Sequence, residues 1–93
     1  MRAISDYNFG NSWVLAAMGL RPEAECAVTA DVGDLRAGSV VRFLGFDDVD
    51  NHHGIFVFSD DSGRGLLEVS GDFSSDAHSA FRALKASLRI SEL

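Results

Sequence analysis

Three apolar runs between Gly38 and Ser70, set apart by two polar, turn-forming patches, dominate the hydrophobic pattern of the chain. Ser39 to Phe46 is rich in β-branched and aromatic residues, which suit a pleated, half-buried surface, and predicts a strand. Gly54 opens a second strand over Ile55 to Ser59. Leu66 to Ser70 makes a third, with Leu67 and Val69 on one side and Glu68 on the other. The Asp, Ser and Gly residues between Asp60 and Gly65 favour turn geometry and predict a hairpin there. Sequential strands with short links make an antiparallel meander. Strand parity places Val41 and Phe43 on one face of the first strand and Val40, Leu44 and Phe46, with Arg42, on the other. In the middle strand Ile55 and Val57 oppose Phe56 and Phe58, so this strand is apolar on both sides and needs cover twice.

Flanking segments complete the pattern. Cys26, Val28, Ala30 and Val32 alternate with Glu25, Ala27, Thr29 and Asp31, the period of a half-buried fourth strand, in competition with a helix opening at Pro22. Residues 33–38 then form a turn. Near the N-terminus, Asn11 or Ser12 can cap a short helix over about 11–19 that stops at Gly19 and is apolar almost all round, a feature of buried or interface helices. After residue 76 the period changes to that of a helix: Asp76 as cap, then Ala77, Phe81, Leu84 and Leu88 on one stripe, predicting a C-terminal helix over about 76–89 with residues 90–93 as a frayed extension. The expected fold is α+β, an antiparallel sheet of three to four strands with the C-terminal helix packed on one face, and with the short N-terminal helix or a second subunit as cover for the other. Leu35, Gly38, Val41 and Phe43 form a turn feeding a strand, a layout that resembles the opening of small SH3-like barrels. That resemblance implies an alternative fold, a small barrel with appended helices, and brings no functional residue with it.

Composition narrows the class. With 93 residues, 46% of them hydrophobic and seven of them Phe, the chain can bury a modest core as one domain. The longest apolar stretch, Trp13 to Met18, falls far short of the roughly 20 residues that cross a bilayer. Asp6, Asn8, Asn11 and Ser12 interrupt any signal-like segment, and the single Cys26 cannot form an internal disulfide, so a cytoplasmic location is expected. A net charge of −6 works against binding a phosphate backbone and makes nucleic acid a disfavoured partner.

The richest chemistry lies in the segment Asp47, Asp48, Asp50, His52 and His53, since carboxylates and imidazoles are metal ligands and general acids or bases. Counted from Asp48, a calcium loop would need Gly and Glu where His53 and Ser59 stand, and adjacent histidines in extended chain point to opposite sides. A solvated hairpin loop accounts for these residues more simply. Cys26 has no nucleophile motif around it, and neither do Ser70 or Ser79 beside His78. Gly63 and Gly65, with Gly71 six residues further on, belong to a link that opens a strand rather than the helix a phosphate loop needs. No catalytic residue and no cofactor is implied. On the C-terminal helix His78, Arg82, Lys85 and Arg89 fall at helical spacing and predict a basic stripe on the outer face.

The surplus of apolar surface is the remaining signal. Trp13 and Val14 on the N-terminal helix, with Val40, Leu44, Phe56 and Phe58 on the sheet, are the expected contact residues of a non-catalytic binding protein that self-associates, a dimer being favoured, and that takes a protein or small apolar ligand. A metal-binding protein or small enzyme built on residues 47–53 is the alternative, and a nucleic-acid-associated regulator using the basic stripe is a second.

Overall fold

The computed structural model describes Phe9 and residues 13–21, 23–50, 53–60, 65–73 and 77–90, with the backbone alone for Val14 and for residues 48–50. The expected α+β architecture is present. Helix α1 (Trp13–Met18) is followed by β1 (Glu25–Val28), β2 (Val40–Asp50), β3 (His53–Asp60), β4 (Leu66–Gly71), α2 (Ser79–Ser87) and β5 (Leu88–Ile90). The strands form one antiparallel sheet in the order β4-β3-β2-β1-β5. The first four strands are the expected meander. The fifth returns after α2 to pair with β1, Cys26 opposite Ile90 and Val28 opposite Leu88. The sheet is therefore five-stranded, and the C-terminal helix ends at Ser87 rather than Arg89. Leu88 satisfies the helical spacing and also begins a strand alternation with Ile90; the backbone partners offered by β1 decide between them. Among the described residues nothing pairs β4 with β5, so the sheet is open where the SH3-like alternative required a closed barrel.

Short-range signals fix most ends. Helix α1 closes as the Gly19 pattern requires, in a Schellman turn: the Leu20 amide donates to the Leu15 carbonyl at 2.9 Å and the Gly19 amide to the Ala16 carbonyl at 3.2 Å. Asn11 and Ser12, the expected caps of α1, lie outside the described residues, as does Asp76. At the start of α2, His78 occupies the N-cap position with no side-chain cap. The other end of α2 is satisfied by the residue that follows β1: the Thr29 amide donates to the Ser87 carbonyl at 2.8 Å and the Thr29 hydroxyl to the Ala86 carbonyl at 3.3 Å.

The main core lies between the helices and one face of the sheet. Cys26, Val28, Val41, Phe43, Phe46, Phe56, Phe58 and Val69 meet Met18, Leu20, Phe81 and Leu84 there. Parity alone misplaces Phe46. A bulge between Phe43 and Gly45 inserts a residue into β2, so Phe43 lies opposite Phe58 and Phe46 opposite Phe56, and all four share the helix-covered face. Phe56 is the hub, with its ring centroid 4.7 Å from both Phe46 and Phe73 and 5.9 Å from Phe43.

The middle strand receives its second cover from Phe9 rather than from the N-terminal helix, whose Leu15, Ala17 and Met18 pack with the main core. Ile55 and Val57, buried on the opposite face, form a separate cluster with Phe9, Leu44 and Leu66. Phe9 makes an antiparallel bridge to Asp47, and its ring occupies the space that a Cβ on Gly45 would fill.

One long-range contact protects a sheet edge. The β1–β2 connection folds over β4, where the Asp34 amide donates to the Glu68 carbonyl and the Glu68 amide donates to the Asp34 carboxylate, each at 3.0 Å. The outward backbone groups of Glu68 are thereby occupied, which blunts an edge that could otherwise pair with another chain. The connection is held in shape from within: the Ala37 amide donates to Asp31 Oδ1 at 2.8 Å and Arg36 Nη1 to the Gly33 carbonyl at 3.0 Å.

Candidate functional site

The acidic and histidine-bearing segment is less a loop than the end of a hairpin. Residues 47–50 belong to β2 and His53 begins β3, with Asp48 opposite Gly54 and Asp50 opposite His53. Pairing continues past Phe46 because the extended backbone of each strand satisfies the other's amides and carbonyls almost to the turn. Asp47 is half-buried beneath the Phe9 bridge and His53 is exposed. The side chains of Asp48 and Asp50, and His52 altogether, lie outside the described residues. Among the described residues no three His, Cys, Asp or Glu side chains gather closely enough to hold a metal ion.

Cys26 is a core residue. It is fully buried in β1, its Sγ 3.8 Å from the Ala24 carbonyl, and burial, with the neighbouring Glu25 charge, pushes its thiol up to about 11. A thiol this far from ionisation is a poor nucleophile at neutral pH. In the native protein Cys26 is expected to resist a disulfide-exchange reagent at pH 8 and to react fully on addition of denaturant. Rapid modification of the folded chain would refute that placement. The raised value also has a stability consequence. Above pH 9 the unfolded chain releases a proton that the folded chain keeps until about pH 11, so this group's stabilisation is complete below pH 9 and declines through that window. Cys26→Ala should flatten the decline in a pH series of chemical melts.

The basic stripe is divided by the end of the helix. Arg82 and Lys85 are exposed on α2, but Arg89 stands on β5 opposite Ala27, between the inward-packed Leu88 and Ile90. Strand alternation turns Arg89 away from the helix-covered face. His78 precedes α2, its Nε2 3.5 Å from Asp72 Oδ2.

The expected contact residues separate just as sharply. Phe56 and Phe58 have no exposed surface and belong to the main core, because Phe58 pairs directly with the core residue Phe43, residues opposite each other share a face, and Phe56 lies on the same side of β3 as Phe58. Leu44 is half-buried against Ile55 and Val57. Val14 lies outside the described side chains. Trp13 and Val40 remain, 50% and 41% exposed, and they are the large apolar side chains most open to solvent among the described residues.

Trp13 is the one set in a built surface. Its ring lies almost parallel on Phe81, with centroids 5.8 Å apart and an interplanar angle of 13°. Phe81 is itself buried and forms one wall of an open groove of about 350 Å³, lined among the described residues by Phe81, Arg82, Lys85 and Ala86. The groove is at the small end of the range for ligand sites and has room for one or two side chains rather than a cofactor. No protein-family model, curated protein or solved structure matches the chain. The surface must therefore be read from its own chemistry: an aromatic shelf, an apolar wall and two cations on one helix. Sequence patterning found Trp13, Arg82 and Lys85 separately. The Trp13–Phe81 stack that joins them spans two helices at opposite ends of the chain, for which no local periodicity gives a signal.

Proposed function

We propose that this chain is a non-catalytic interaction module whose contact surface is the helical face centred on Trp13. The observation that carries the reading is the half-exposed Trp13 ring stacked on Phe81 beside an open groove. Aromatic side chains held rigid by a neighbour present a large contact area at little further entropic cost, and they are the residues on which binding energy concentrates. The sheet face supports this role less, since Ile55 and Val57 are covered from within the chain.

Selection of ligands from a random peptide library against the folded protein tests the reading. Peptides recovered on the wild type should lose at least about tenfold in affinity for Trp13→Ala, in line with truncation of a central aromatic anchor. The melting midpoint should fall only modestly. Peptides that bind Trp13→Ala as well as the wild type would place the contact surface elsewhere. Light scattering of both proteins addresses self-association separately: a dimer that dissociates in Trp13→Ala uses this face.

A further inference from the structure

Resting on that reading, we infer that the occupant of the groove along α2 is an acidic peptide segment of a partner protein, with an apolar or aromatic side chain seated against Phe81 beside the Trp13 ring and carboxylates paired with Arg82 and Lys85. The chain carries fourteen acidic and eight basic residues, yet the groove presents two cations, and among the described residues neither makes an ion pair. Standing three residues apart on α2, they are neighbours on the helix surface, where like charges repel. The helix dipole favours Lys85 in the last turn but gives no reason for Arg82 one turn earlier; a carboxylate seated between them converts the repulsion into two attractions. Phe81 and Ala86 supply the apolar wall beside these cations, so one short segment can satisfy both chemistries.

Two other occupants fit less well. A second copy docked by two-fold symmetry presents the same patch to itself and brings Arg82 and Lys85 of both copies toward one axis. A nucleic-acid strand would find aromatic and cationic groups, but it must bring a dense row of phosphates against a chain of net charge −6. A peptide with two or three carboxylates meets the local cations without that long-range repulsion.

Fluorescence anisotropy with labelled ten-residue peptides is the test. One peptide carries a central Trp flanked by glutamates; its controls replace the glutamates with glutamines or lysines, and an oligothymidylate of similar length is run beside them. The glutamate peptide should bind at least about tenfold more tightly than the lysine peptide and weaken as salt rises. In Arg82→Glu/Lys85→Glu, whose positions are exposed, the preference should reverse in favour of the lysine peptide. Peptides that bind alike whatever their charge, and that are lost only in Trp13→Ala, would overturn the acidic occupant and leave the interaction surface standing. Tighter binding of the oligothymidylate would overturn it in favour of nucleic acid. No binding of the glutamate peptide by a wild-type protein that does bind library-selected peptides at Trp13 would also overturn it. Failure of the library selection itself would remove both readings.

Discussion

Phe56→Ala should lower the free energy of unfolding by about 3–5 kcal/mol, a loss that a domain of ordinary marginal stability can barely survive. Phe56 is fully buried and its ring touches three others, Phe43, Phe46 and Phe73, which come from β2 and from the segment after β4. Deleting it leaves a void bounded by rigid aromatic rings that cannot collapse to fill it, and that is the circumstance in which cavity costs are greatest. Phe56→Leu, which keeps much of the volume, should cost less than about 1.5 kcal/mol. Denaturant melts followed by far-ultraviolet circular dichroism measure both. A cost below about 1 kcal/mol for the alanine variant would mean that the aromatic cluster is not the centre of the fold.

Gly33→Ala is the second large effect, and it acts at a distance. Gly33 has φ of 54°, where any Cβ is strained, and the added carbon would lie 2.8 Å from the Glu68 carbonyl oxygen and 3.0 Å from the Val69 Cα. Both obstacles are backbone atoms of a paired strand, which cannot move aside as a side-chain tip could. Left-handed strain of about 1–2 kcal/mol and overpacking of about 1–3 together predict a loss of about 2–5 kcal/mol. Gly38→Ala is the control: its φ is 88° but nothing lies within 4 Å of the added carbon, so it should show the strain alone. If the two substitutions cost the same, the connection does not press on β4. Because displacement at Gly33 also pulls Asp34 from Glu68, Gly33→Ala and Asp34→Ala should be less than additive when combined.

Much of the sheet was legible in the sequence because its signals are local. Strand alternation found β1, β3 and β4 and the turn residues found the 60–65 hairpin, while the stripe of Phe81 and Leu84 found α2. The errors have a common origin in tertiary contacts. Phe46 was assigned to the wrong face because a bulge leaves no mark in an otherwise regular alternation. Leu88 to Ile90 read as helix and tail because three residues are too few to show a period, and their partners lie in β1. The hairpin carrying Asp47 and His53 read as a loop because Asp and Asn signal turns by type, whereas backbone pairing holds Asp50 opposite His53. The proposed contact surface was visible only in fragments, since Trp13 and Phe81 meet solely through packing.

The place of β5 bears on the order in which the chain can fold. Strands β1 to β4 each find a partner next to them in sequence, and such contacts form fast because little chain must be closed to make them. The partner that β1 finds in β5 comes from the far end of the described chain, after every other strand. During synthesis β1 must wait with one edge open until residues 88–90 emerge, and the docking of α2 that brings Leu88 alongside Val28 is then the step that ends its exposure to neighbouring chains.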